Sequence, residues 1–188
     1  MNFRLLLGGL PFLVFGLTFS HAQSRSDITR VPVVFSGGHE TDPRDHGRPV
    51  VLIAGALGVP PEVFRDAFSR VHPANPQKGP GPAEAQANKA ALLGTLGQYG
   101  VTNERLDQVS DYYRYDASRN KLWPTQAAVA YAMVQNGKIV CYEIVNGGSG
   151  YSSNPDITVP GFPGHSVAEL AFGKSFEKNG SIRSIRKR

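Results

Sequence analysis

Two histidines and three carboxylates fall within eight residues, at His39, Glu40, Asp42, Asp45 and His46. Imidazole and carboxylate together suit Zn²⁺ or another divalent transition metal, and a glycine-flexible loop can fold several such ligands round one ion where a strand could not. The spacing is neither the H-E-x-x-H helix of zinc proteases nor the alternating oxygens of an EF-hand. A divalent metal held on this loop would give a metal-dependent hydrolase, with Asp107 or Asp111 as its base. The competing use is structural: Asp45 caps a helix that begins near Arg48, and Asp42-Pro43 makes a turn.

Three further groups could do chemistry. Asp107 and Asp111 stand at i and i+4, where two carboxylates on one helix can share a proton or an ion, though Arg105 and Arg114 beside them equally describe an exposed charged stripe. Tyr99, Tyr112, Tyr113, Tyr115 and Trp123 could line a carbohydrate or peptide surface, or close a core between domains. Gly147, Gly148, Ser149, Gly150 and Tyr151 hold a serine among glycines, but Tyr151 stands where a nucleophile elbow needs glycine, and no lysine follows to serve a phosphate. Cys141 is the lone cysteine. It forms no internal disulfide, and in its strand-like setting it reads as a small buried apolar group.

The elements that must position these residues begin with one that is removed. Met1 to Ala22 carries Arg4, an apolar run from Leu5 to Leu17 and a small-residue end at Ser20-His21-Ala22, the layout of a secretory signal peptide. The run is too short to span a bilayer, so the processed chain is expected to be secreted or periplasmic, with cleavage near Ala22/Gln23 and no transmembrane anchor. Residues 23–35 read as an exposed leader, in which Val33-Val34-Phe35 is a short strand or an anchor. Pro49 and Pro60-Pro61 can open two helices, the second with Val63, Phe64, Ala67, Phe68 and Val71 on one apolar face. After a proline-rich connector from Asn75 to Pro82, a third helix runs from about Ala83 to Leu96, and a fourth is capped by Thr102, with Leu106, Val109 and Tyr113 inward.

Beyond Tyr115 the period changes from helix to strand. Asn136-Gly137 is the strongest short hairpin signal, and a two-residue turn there sets Met133 opposite Val140, Tyr131 opposite Tyr142 and Val129 opposite Ile144 on a core face. The other side, with Ala128, Ala130, Ala132 and Val134 beside Ile139, Cys141, Glu143 and Val145, is also mostly apolar, so the hairpin is expected between two layers. A second Asn-Gly at Asn179-Gly180 repeats the pattern N-G-x-I and forms the sequon Asn179-Gly180-Ser181. These elements predict an α+β chain: a small N-terminal helical bundle of about four helices (36–121), then a small β-rich hairpin or meander domain (122–185) and a basic tail (186–188).

The sequence carries 20 basic and 15 acidic residues. Without Arg4 of the leader 19 bases remain, and Arg183, Arg186, Lys187 and Arg188 account for the whole excess. The basic character belongs to a terminus that reads as frayed and solvated, so a nucleic-acid partner is not expected.

Gly147 to Pro155, preceded by Asn136-Gly137-Lys138-Ile139 and followed by Ile157-Thr158-Val159, resembles the glycine-rich β-repeat of bacterial surface and phage tail proteins. The run from Ser36-Gly37-Gly38-His39-Glu40-Thr41-Asp42 to Phe68, with Tyr99-Gly100-Val101-Thr102-Asn103-Glu104-Arg105-Leu106 to Tyr115, is similar to an uncharacterised family of secreted bacterial proteins. The first likeness implies a structural or adhesive all-β unit, and the second brings across no catalytic residue. The leading expectation is a secreted or periplasmic, non-enzymatic module for envelope binding or assembly. Its partner would be a cell-envelope or extracellular protein or polysaccharide; the alternative is the metal-dependent hydrolase on the His39 to His46 loop.

Overall fold

The computed structural model describes residues 27–72, 81–114 and 122–188. Residues 1–26, which include the segment read as a signal peptide, most of the proline-rich connector, Tyr115 and the polar stretch 116–121 lie outside the described residues. In chain order the elements are strands β1 (Thr29–Pro32) and β2 (Val34–Ser36), helices α1 (Val50–Leu57), α2 (Pro61–Phe68), α3 (Pro82–Leu96) and α4 (Asn103–Tyr112), then strands β3 (Val129–Gln135), β4 (Lys138–Asn146), β5 (Asp156–Thr158), β6 (Ser166–Ala171) and β7 (Ser181–Lys187). None of the described helices is long and apolar enough to cross a membrane.

The helices start and stop where local chemistry requires. Pro61 and Pro82 occupy first-turn positions, where a missing N–H costs nothing. The Thr102 hydroxyl accepts from Arg105 N at 3.2 Å to open α4. Gly58, at φ 75°, ends α1 in the left-handed conformation.

The expected order, a helical bundle followed by a β domain, is corrected by the strand pairing. β1 pairs antiparallel with β3 (Thr29 opposite Val134), and β2 pairs antiparallel with β5 (Val34 opposite Thr158). The helices are therefore inserted between strands that belong to the same small sheets, arranged β1-β3-β4, β2-β5 and β6-β7. β2 matches the short strand read at Val33-Val34-Phe35, though not its partner, whereas edge position hid β1. β1 lies at the rim of its sheet with Thr29, Arg30 and Pro32 exposed, so it carries no apolar alternation, and a rim strand tolerates a proline that donates nothing.

The hairpin turn forms at Asn136 and Gly137, both at positive φ (53° and 71°), as a primed turn needs. The expected register holds for only two pairs, Gln135 with Lys138 and Val134 with Ile139. A bulge at Val140 then sets Met133 opposite Cys141, Ala132 opposite Tyr142 and Tyr131 opposite Glu143. The core face is consequently the small-residue one, with Ala130, Ala132 and Val134 buried, and not the face of Tyr131 and Met133. Cys141 is exposed, contrary to its sequence reading.

Two apolar clusters result. One gathers Leu52, Phe64, Leu96, Leu106, Val109, Tyr113 and Trp123 among the helices; the other gathers Tyr151, Ile157, Ala168 and Ile182 among the strands. Asn179 ties the strand-bearing half of the chain to the first cluster. Its amide nitrogen donates to Leu52 O at 2.7 Å and to the Tyr113 hydroxyl at 2.8 Å, and its carbonyl accepts from Gly173 N at 3.0 Å. The sequon asparagine is thus fully buried. Gly180 follows at φ 67°, where a Cβ would run into Tyr151 O and Leu52 Cδ2.

Candidate functional site

The loop singled out for metal ligands and the glycine-rich loop, 111 residues apart along the chain, interlock. Gly38 O accepts from Ser152 N at 2.9 Å and Ser153 N at 3.1 Å, and the Ser152 hydroxyl donates to Glu40 O at 2.8 Å. A Cβ on Gly38 would lie 2.7 Å from the Tyr151 ring, so glycine permits the approach. The His39 ring stacks on Tyr151 at 5.2 Å and places Nδ1 3.1 Å from Gly150 O; since a carbonyl only accepts, Nδ1 carries the proton in this contact. Trp123 Nε1 donates to the same oxygen at 2.8 Å. The Glu40 carboxylate accepts from the Ser153 hydroxyl and from Gly38 N, and the serine bond, first among its causes, holds its pKa below the ordinary value.

Asp42 and Asp45 turn instead toward α2. Asp42 accepts from Arg44 N at 2.9 Å and from the Arg44 guanidinium, which bring its pKa down to about 2. It caps the short 3-10 turn Pro43–Asp45, a role the sequence reading assigned to Asp45 on the following helix. Asp45, its side chain only 4% exposed, accepts two bonds of 2.7 Å from Arg65, whose third nitrogen reaches Glu62 at 2.6 Å. That carboxylate raises the guanidinium pKa. His46 closes the turn at φ 49° and is exposed. The five residues thus separate into a pair bonded to the glycine-rich loop, two carboxylates bonded to arginines, and one exposed imidazole. Among the described residues no three His, Cys, Asp or Glu side chains are grouped so as to hold a metal ion.

The other sequence candidates are also placed. Asp107 pairs with Lys89 at 2.7 Å and Asp111 with Arg114 at 2.6 Å, so each acid of the i, i+4 pair has its own cation. Tyr113 and Trp123 are buried in the helical cluster, Tyr112 stacks on Phe176 at 4.2 Å, and Tyr115 lies outside the described residues. Burial, more than its other neighbours, pushes the Tyr113 hydroxyl up to about 12. In the glycine-rich loop Gly148, Ser149, Gly150 and Tyr151 are buried and Gly147 is half-buried, with Ser149 bridged to Gln126. That loop is a structural joint.

A trough missed by the sequence reading lies among the strands. It consists of two hollows, of about 410 and 350 Å³, that share Ile139, Tyr142 and Lys187 in their linings. Its cationic groups are Lys138, at the hairpin turn, with Arg186, Lys187 and His165. No carboxylate lines either hollow. The antiparallel register of β6 and β7 creates the arrangement by setting Lys187 opposite Ser166, while Arg188 N donates to His165 O at 3.0 Å. The basic terminus is therefore strand through Lys187, not the frayed end expected. Tyr142 Oη and Ser166 Oγ, 2.6 Å apart, tie β4 to β6. Among the described residues Lys138, Arg186 and Lys187 join no ion pair, in contrast to Arg44 and Arg65. The sequence signal was Lys138 beside the turn and the bases of the last strand, legible as one site only once β4 and β7 are known to adjoin.

Comparison with known proteins returns no matching family model, no matching curated protein and no matching solved structure.

Proposed function

We propose that this chain is a secreted or periplasmic, non-enzymatic module that binds an anionic polymer of the cell envelope along the β4/β7 trough. The observation that carries the reading is the lining itself: two lysines, an arginine and a histidine with no carboxylate in either hollow. Unpaired cations in a concave surface raise the local concentration of anions and gain affinity by displacing counterions from a polyanion. Two hollows that share Ile139, Tyr142 and Lys187 spread the cations over more surface than a compact ligand covers, which suits a linear chain, and Tyr142 and Phe162 offer apolar surface to its uncharged parts. The leader-like segment at residues 1–22 supports the location.

The test is fluorescence anisotropy with a labelled linear polyphosphate, run beside a labelled neutral dextran and phosphatidylglycerol vesicles. Polyphosphate should bind with a steep salt dependence and dextran should not. The Lys138→Glu/Lys187→Glu variant should weaken binding by about tenfold or more. The charge-matched Lys174→Glu/Lys178→Glu variant, altered outside the trough, should stay within about twofold of the parent. Equal losses in the two variants, or binding to vesicles alone, would overturn the reading. Export is checked by the intact mass of protein produced with its own leader, expected to begin at Gln23.

A further inference from the structure

Arg48 is placed unlike its neighbours. Arg44 and Arg65 are held by Asp42 and Asp45, and Arg114 by Asp111, but among the described residues Arg48 has no carboxylate within ion-pair distance. Its only hydrogen bond runs from one guanidinium nitrogen to Asp45 O at 3.2 Å, and its plane lies over the Phe68 ring, 4.2 Å from the centroid. The side chain is half-buried, and burial lowers its pKa. A desolvated guanidinium with four donors unused calls for an anion.

The surrounding space specifies which anion. Arg48 borders three hollows: a cleft of about 610 Å³ and a side hollow of about 230 Å³, both also bordered by Asp45, and a third hollow of about 290 Å³. His46, Arg48 and Phe68 are shared by the cleft and the third hollow, whose lining is otherwise Ile53, Phe64, Leu92, Leu106 and Tyr113 with Ser110 and Arg114, and holds no carboxylate. All four helices contribute to it. The site is thus an unpaired cation beside a largely apolar recess, the usual composition of a small-molecule pocket. Arg65 and Arg114 add no second free charge, because Asp45 and Glu62 occupy the one and Asp111 the other, so the recess matches a singly charged head group.

We propose that Arg48 anchors the head group of an organic carboxylate whose hydrocarbon chain or ring enters the recess between the helices. This site is independent of the trough.

The probes are decanoate, decanol and decyltrimethylammonium, titrated into the full-length processed protein by calorimetry. Decanoate should bind at one equivalent, with the neutral and cationic analogues weaker by about tenfold or more, the worth of one charge-assisted hydrogen bond. Arg48→Gln should remove that preference, and Arg48→Lys, which keeps the charge, should retain most of it. The Lys138→Glu/Lys187→Glu variant should leave decanoate binding unchanged. Decanol binding as tightly as decanoate, an undiminished preference in Arg48→Gln, or no heat with decanoate would each overturn the proposal. The head-group series on the parent protein decides the matter even if the Arg48 variants fail to fold.

Discussion

The outer helical cleft and the strand trough each collect three cationic side chains besides histidine, and they use them in opposite ways. In the cleft, Arg44 and Arg65 are bonded to Asp42, Asp45 and Glu62, and among the described residues Arg48 alone has no ion-pair partner. In the trough Lys138, Arg186 and Lys187 all lack one among the described residues. A buried cation bonded to a carboxylate orients the backbone it hangs from, and removing one partner strands the other in a poor solvent. An unpaired cation at the surface contributes little to folding and is free to meet an anion. Charge count alone therefore says nothing about binding; the pairing does.

The largest effect should come from breaking the buried pair. Arg65→Met leaves the nearly inaccessible Asp45 carboxylate without its two charged bonds and should cost about 3–5 kcal/mol in urea denaturation. Adding Asp45→Asn to it should recover much of that loss. Lys138→Met and Lys187→Met should each stay within about 0.5 kcal/mol of the parent. A trough lysine as costly as Arg65 would erase the distinction.

Next come the two Asn-Gly sites. Asn179→Ala leaves Leu52 O, the Tyr113 hydroxyl and Gly173 N without their partner inside the molecule and should cost about 2–3 kcal/mol. Asn136→Ala, in an exposed turn at φ 53°, should cost about 1 kcal/mol. The ratio of the two, read by thermal denaturation, tests whether the same dipeptide serves as a core tie in one place and a turn in the other.

A smaller effect follows acid titration. Asp42 and Glu40 have pKa values below their ordinary ones, so each contributes stability above the unfolded value that is lost as pH falls through the folded one. For Asp42 the window runs from about 3.8 down to about 2. Asp42→Asn should flatten the fall in Tm across that window, whereas Lys138→Met should leave its slope unchanged. A steep fall retained in Asp42→Asn would assign the acid sensitivity elsewhere.

These contrasts also explain what the sequence could reveal. The helices were legible because proline, threonine and glycine mark their ends and their apolar residues recur at helical spacing. β1 was not, because an edge strand needs no apolar face; β2 showed as a short apolar run, but the partners of both strands lie some hundred residues onward. The turn at Asn136-Gly137 was visible, but the bulge at Val140 leaves no signature, and one extra residue in β4 moved Cys141 off the buried face and set Tyr142 opposite Ala132 in its place. His39 to His46 stood out because its residue types suit a metal. The structure shows the same groups bonded to Ser153, Arg44, Arg65 and the backbone of Gly150, partners that one-dimensional spacing cannot display. The trough was invisible for the same reason, since Lys138 and Lys187 become neighbours only through pairing and packing of β4, β6 and β7.

The smallest expected effect separates pairing from burial. Arg30 pairs with Glu143 at 3.0 Å and lies over the Tyr131 ring at 4.2 Å, joining β1 to β4 across β3. By pairing alone it should matter as Arg65 does. Its side chain and that of Glu143 are 49% and 48% exposed, however, so water and salt screen the attraction and the loss of side-chain entropy offsets most of it. A double-mutant cycle of Arg30→Ala and Glu143→Gln should yield a coupling of about 0.5 kcal/mol or less, falling further in high salt, while Arg30→Ala alone also loses the ring contact. A coupling of several kcal/mol would mean that this rim carries structural charge after all. Lys138 of the trough, five residues from Glu143 along β4, would then have to be weighed for folding before it is weighed for binding.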